Sequence, residues 1–117
     1  MLPIRKPVAR GGVRVQSGTS WAQSGTASWY GGERWQGKLT ASGVRYDQNK
    51  LTAAHATLPI GSHVRVTVAG TDRAVIVTII DRPGTRTRII DLSRAAAEAL
   101  GILARGVARV NLVRIDT

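Results

Sequence analysis

A closed β-barrel with short helices packed at its ends is the fold class that this sequence predicts. Three observations carry that reading. The apolar residues come in short β-branched runs: HVRVTV at 63–68, VIVTII at 75–80 and VARVNLVRI at 107–115. Turns rich in Gly, Pro, Asn, Asp and Ser separate the runs. Helix-forming composition is confined to brief segments, above all LSRAAAEAL at 92–100. At 117 residues the chain makes one domain with one modest core. It has no Phe and only 4% aromatic residues, so Val, Ile, Leu and Ala must build that core.

In chain order, residues 1–23 carry Arg5, Lys6, Arg10 and Arg14 and no acid. They read as a basic arm, flexible or ordered by a protein partner, with a strand at 13–16 as the other reading. The barrel domain is placed at 24–117. SGTASWY at 24–30 is its first short strand, broken at Gly31-Gly32. Trp29, Tyr30 and Trp35 follow closely on one another. Aromatic faces stack on the apolar faces of sugar rings, so this cluster suits a glycan groove; it would also serve to plug a barrel end.

Residues 49–55 read as a short helix capped by Asp47 or Asn49, ending at His55. His55 titrates near neutrality and is a candidate for proton transfer, or for a hydrogen bond to neighbouring backbone. Residues 63–68 alternate at period two, which makes a half-buried strand with His63 outward. Residues 69–72 form a hairpin connection. The unbroken run at 75–80 reads as a strand buried on both faces. It must stop at Asp81-Arg82-Pro83-Gly84, where Pro fixes φ and Gly permits the turn. Asp81 therefore stands at the mouth of a rigid strand, placed for chemistry or for opening the turn. Asp91 or Ser93 caps the helix over 92–100, capping being the role favoured for Asp91, and Gly101 terminates it. Residues 102–106 connect to a closing strand at 107–115.

Seventeen Lys and Arg against seven Asp and Glu give a formal net charge of +10. Such a chain is drawn to polyanions: nucleic acid, anionic lipid or cell-wall polymer. The basic residues are spread along the chain, and stacking residues are few. Both features argue against direct nucleic-acid recognition. The absence of cysteine excludes a disulfide framework, a zinc–thiolate site and a cysteine nucleophile. No metal and no cofactor are expected. No apolar run reaches the roughly 18 residues of a membrane span, and MLPIRKPVARGG lacks the apolar core of a signal peptide.

Several motifs occur together in order: GTASWYG, LTASG-x-RYD, LTAAHATLPIGSHVRVT and IDRPG…RIIDLSRAAAEALG…GVARV. Over about Gly25 to Ile115 the chain resembles the double-psi β-barrel domain of the rare lipoprotein A family, which is related to expansins. The resemblance implies a six-stranded double-psi barrel with two or three short helices. It also implies a peptidoglycan lytic transglycosylase in the periplasm or cell envelope, acting on glycan strands. Asp81 matches the family's catalytic Asp, and His55 the His of its Thr-Ala-Ala-His motif. The matched motifs bring Trp29, Tyr30, Thr40, Tyr46 and Arg82 forward as substrate-binding residues, and they predict that Asp81, His55, Tyr46 and Trp29 converge at one cleft.

The chain departs from the family pattern at three places. Val44 stands where the family has a Glu, Ile80 replaces the Asn before the catalytic Asp, and Arg82-Pro83-Gly84 replaces Arg-Gly-Pro. A lytic transglycosylase uses the sugar's own 6-hydroxyl as nucleophile, so one carboxyl can serve as acid and then as base. Two function classes follow. One is a transglycosylase cleaving the MurNAc–GlcNAc bond to leave 1,6-anhydro ends. The other is a non-catalytic peptidoglycan-binding or structural barrel, as in a cell-wall-penetrating, virion-associated assembly such as a phage tail.

Overall fold

The computed structural model describes residues 21–84 and 87–115. The arm read at residues 1–23 lies outside the described residues except for its last three, and these belong to the barrel. Strand β1 spans Ala22–Tyr30, β2 Thr52–Ala54, β3 His63–Val68, β4 Ala74–Asp81, β5 Ile90–Ser93 and β6 Val107–Arg114. They close into a barrel in the order β1-β5-β2-β4-β3-β6. The β1–β5 and β2–β4 pairs are parallel, and the other four pairs are antiparallel. Among the described residues, closure leaves no strand edge to template aggregation.

Inward residues of every strand fill the barrel. Ala27, Ala53, Val64, Val66, Val77, Ile79, Ile90, Leu92, Val110 and Leu112 are buried in one cluster. The aliphatic core read from composition is the one found. Strand β4 is not buried on both faces, however. Val75, Val77 and Ile79 point inward, while Ile76 stays 44% exposed on the outer wall. A barrel in water has a wet outer face, and β-branched side chains are tolerated there for their strand propensity.

The helix expected over 49–55 is absent. Asp47 instead accepts the Asn49 amide in a local turn, and Thr52–Ala54 forms strand β2. Alanine is the best helix former, but Ala53 is wholly buried between β4 and β5 and pairs with both. Burial and two ladders of hydrogen bonds outweigh a propensity of a few tenths of a kcal/mol per residue. Among the described residues one α-helix remains, α1 at Arg94–Leu100. Ala96, Ala97 and Leu100 are its buried residues. Gly101 ends it in the left-handed conformation at φ 74°.

Ser93 is the N-cap of α1, not Asp91. Its Oγ accepts from the Ala96 amide at 3.2 Å and donates to the Lys50 carbonyl at 2.6 Å. The Thr52 amide also reaches it at 3.3 Å. One buried hydroxyl thus joins the helix start to the chain entering β2. Ser93→Ala is expected to lower unfolding free energy by about 2 kcal/mol, combining a lost cap with buried partners left unpaired. Urea denaturation at neutral pH measures this; a change under about 0.5 kcal/mol would reduce Ser93 to an ordinary surface-type cap.

Candidate functional site

The site is set by one irregularity in the sheet. Ala53 pairs with Ile79 and Ala54 with Asp81, so Ile80 is an extra residue, a β-bulge. Ile79 keeps its place in the core. Past the bulge, Asp81 is carried onto the outer face beside Ala54. Ala54 also pairs with Asp91 on β5, and Asp91 pairs with Ser28 on β1. Cross-strand partners share a face. Ser28, Asp91, Ala54 and Asp81 therefore form one row over four strands. Two strand spacings separate the carboxylate residues, roughly 10 Å between Cα atoms.

This row floors a cleft of about 220 Å³ lined by Tyr30, Trp35, Ala54, Asp81, Arg82 and Asp91, among others. Oδ1 of Asp81 accepts the backbone amides of Ala41 at 3.0 Å and Arg82 at 2.9 Å. The Ser42 amide donates to the Ile80 carbonyl, so the 40–44 loop is tied to the bulge itself. Asp91 Oδ1 accepts a hydrogen bond from Ser28 Oγ. Each carboxylate is thus anchored through one oxygen.

Tyr30 lies two residues beyond Ser28 on the same face of β1. Its ring stacks on Tyr46 with centroids 4.5 Å apart and meets the edge of Trp35 at 5.6 Å. Its hydroxyl is buried and has no hydrogen-bond partner among the described residues. Burial, then the nearby Asp81, Tyr46 and Asp91, push its pKa far above the usual phenol value. It is a neutral O–H donor at any pH where the protein works. Trp35 is 40% exposed beside it, with the Arg34 guanidinium 5.5 Å from its ring.

Of the four residues expected to converge, Asp81, His55, Tyr46 and Trp29, Asp81 alone lines the cleft. Asp81, Tyr30 and Arg82 line the cleft. Tyr46 is buried behind Tyr30, its hydroxyl donating to the Tyr30 carbonyl at 2.5 Å. Thr40 is buried, and its hydroxyl bonds to the Val44 carbonyl and Ser42 Oγ, which shapes the loop holding Asp81. Trp29 falls on the inward side of β1 with Gly25 and Ala27. It packs against the core, and its indole N–H donates to the Leu103 carbonyl at 3.3 Å. Val44 is 56% exposed and does not line the cleft.

His55 also turns away. Its backbone amide bonds to the Asp81 carbonyl at 3.0 Å, but its ring faces a second groove. Nδ1 accepts the amides of Thr57 and Leu58, both at 3.1 Å. Nδ1 is thereby unprotonated, so Nε2 carries the hydrogen and donates to Gln23 Oε1 at 2.9 Å. Trp21 packs edge-on against the ring. This neutral His55 pins the turn after β2, and Arg82 completes it by donating Nη1 to the His55 and Leu58 carbonyls at 2.8 and 2.7 Å. The second groove measures about 570 Å³ and is lined by Gln23, His55, Thr57, Arg82, Arg88 and Ile89, among others.

Asp91 and Ser28 are the functional candidates that sequence reasoning missed, whereas Trp35, read with Trp29 and Tyr30 as a groove residue, does line the cleft. The signal for Asp91 was present: Ile90-Asp91-Leu92 alternates apolar, polar, apolar, the period of a strand. The adjacent helix drew it into a capping role instead. Among the described residues no cluster of His, Cys, Asp and Glu suits a metal ion.

Comparison with known proteins gives concordant matches. A family model described as lytic transglycolase matches residues 22–112. The endolytic peptidoglycan transglycosylase RlpA of Neisseria meningitidis is 51% identical over 96 residues, which are 81% of this chain and 40% of that protein. A probable endolytic peptidoglycan transglycosylase RlpA from a Nostoc species is 44% identical over 108 residues, 91% of this chain and 29% of that one. The chain thus spans less than half the length of these curated relatives. Among solved structures, the Streptomyces papain inhibitor superposes with a TM-score of 0.67 at 24% identity, covering 86% of this chain and 100% of the inhibitor. A mutant Clavibacter michiganensis expansin in complex with cellohexaose gives 0.64 at 18% identity, covering 82% of this chain and 51% of the expansin.

The state of His55 has a pH consequence. Burial, and then the charge of Arg82, lower its pKa from the ordinary 6.5. Unfolded chains take up this proton near pH 6.5 while the folded protein does not, so the stabilisation is full above that pH and is lost as pH falls toward the folded value. The melting temperature is expected to drop between pH 7.5 and 5.5, and His55→Gln should flatten the drop while lowering stability throughout. Equal pH slopes in the two proteins would show that His55 is not the titrating group.

Proposed function

The chain belongs to the lytic transglycolase family of RlpA-like double-psi β-barrels, and from that premise we propose that its cleft cleaves peptidoglycan glycan strands in the cell envelope without hydrolysis. One observation carries the reading: two carboxylates, Asp81 and Asp91, flank Ala54 in a single row under a buried, unpartnered phenol. Asp81 gives a proton to the glycosidic oxygen of the MurNAc–GlcNAc bond. The C1–O bond breaks, the MurNAc 6-hydroxyl bonds to C1, and its proton returns to Asp81. A 1,6-anhydro end results, with no water consumed. Asp91 lies across the row as the negative charge that steadies the oxocarbenium-like state.

The remaining groups fit this role. Tyr30 supplies a hydrogen bond to a sugar hydroxyl, which would satisfy its buried O–H. Trp35 presents an exposed face to a pyranose ring. Arg82 closes one end of the cleft and braces the turn that carries His55, so His55 acts as a positioning residue. Asp91 supplies a second carboxylate on the cleft floor in a chain whose position 44 carries none. The alternative is a glycan-binding module without turnover, and the exposed Val44 at the family's acid position is what favours it.

Digestion of purified denuded glycan strands, with mass spectrometry of anhydro ends, separates the two. Asp81→Asn is expected to cost at least about 100-fold in release, the usual scale of general acid–base catalysis. Asp91→Asn should cost a similar factor while retaining binding. Tyr30→Phe should lose about tenfold, the weight of one buried hydrogen bond. No release by the unsubstituted protein, together with measurable strand binding, would leave the module reading standing.

A further inference from the structure

The second groove is not used by the cleavage step, yet it abuts the cleft. Arg82 and Pro83 line both, so they form a ridge between them. The two sides differ in charge. The cleft is lined by two carboxylates and the shared Arg82, whereas the groove is lined by Arg82 and Arg88 with no Asp or Glu among its lining residues. His55 contributes no charge there, since its ring is neutral and both nitrogens are engaged.

The two arginines are prepared differently. Arg82 is fixed by its bonds to two carbonyls, so its guanidinium is held in place without being neutralised. Arg88 is half-buried and has no hydrogen bond or ion pair among the described residues. A guanidinium carries five donors, and with no partner among the described residues Arg88 can turn them to a ligand in the groove. Such a group on the wall of a groove is matched by an anion with two oxygens, which a planar guanidinium binds bidentately. The groove, at about 570 Å³ against about 220 Å³ for the cleft, has room for a substituent projecting from a chain held in the cleft.

We propose that this groove is a carboxylate-binding subsite, in which Arg88, assisted by Arg82, takes an anionic substituent of the polymer lying in the cleft. The proposal rests on the glycan reading of the cleft. In peptidoglycan the carboxylate has two sources: the lactyl group of MurNAc where no peptide is attached, or the stem peptide where one is. The arrangement also orients the strand. The Asp81–Asp91 row repels an anion, so the substituent must project over the Arg82–Pro83 ridge, which fixes which face of the sugar meets the carboxylates.

The test is titration calorimetry with four ligands: a neutral chitin oligosaccharide, denuded glycan strands, the same strands with their lactyl carboxyls amidated, and peptide-bearing strands. Unsubstituted protein is expected to bind a carboxylate-bearing strand about tenfold tighter than the amidated one, the weight of a charge-assisted pair. Arg88→Gln should erase that difference and leave chitin affinity and melting temperature unchanged. A preference for denuded strands assigns the lactyl carboxylate, and a preference for peptide-bearing strands assigns the stem. Equal loss by Arg88→Gln on chitin, or no loss on any strand, overturns the subsite. Failure of the unsubstituted protein to bind any of the four removes the glycan reading of the cleft, and the subsite with it.

Discussion

Everything distinctive about this molecule depends on the bulge at Ile80. Without the extra residue, strict alternation after Ile79 would give Ile80 the register opposite Ala54, and Asp81 would turn toward the interior with the core residues. A carboxylate there would sit among aliphatic side chains with nothing to solvate it, at a cost of several kcal/mol. The bulge keeps Ile79 in the core and turns Asp81 outward in register with Ala54 and Asp91. The Ser42 amide donating to the Ile80 carbonyl occupies a group that the bulge would otherwise leave unpaired. The same loop delivers the Ala41 amide to Asp81. The defect, the loop and the carboxylate are thus one mechanical unit.

Much of the barrel was legible in the sequence. Alternation at 63–68 and 107–115 and the turn residues between runs reported the strands directly, because one face of each is wet. Gly101 reported the helix end, because only a residue without Cβ sits easily at φ 74°. Two elements were misread for one reason. The segment 49–55 was read as a helix on Lys50, Leu51, Ala53 and Ala54, and 75–80 has the pattern of a doubly buried strand. In both, the decisive partner lies far along the chain, and local propensity does not encode it. The bulge was unreadable too, since nothing in VIVTIID marks which Ile is the extra one.

The site followed the same division. Asp81 was legible as a carboxylate ending an apolar strand. Trp29 and Tyr30, adjacent in sequence, were read together as groove residues, but period two sends them to opposite faces: Trp29 with Ala27 to the core, Tyr30 with Ser28 to the cleft. His55 was legible with two roles open, proton transfer or a hydrogen bond to neighbouring backbone, and the second is the one its ring makes. Its ring closes a turn that begins where β2 ends, a local hydrogen-bonding role that composition does not distinguish from catalysis. Asp91 was hidden by Ser93, whose cap position is two residues later and whose environment is wholly buried.

The smallest member of the row explains why the cleft exists. Ala54 lies between the two acidic residues on the central strand of the trio, and β2 carries a methyl on each face for a different reason. Toward the barrel, its neighbour Ala53 is packed with no exposed surface between Ile79 and Leu92, so β2 is held close to both flanking strands. Toward solvent, any side chain longer than a methyl at Ala54 would rise between Asp81 and Asp91 into the space lined by Tyr30 and Trp35. Two alanines in a three-residue strand give it little propensity, and here it is fixed by pairing on both sides. Pairing therefore supplies the stability that side chains of β2 do not, and it frees those positions to stay small. The two alanines that mislead a local reading toward helix thus have separate causes, Ala53 the close packing of the core and Ala54 a low floor to the cleft.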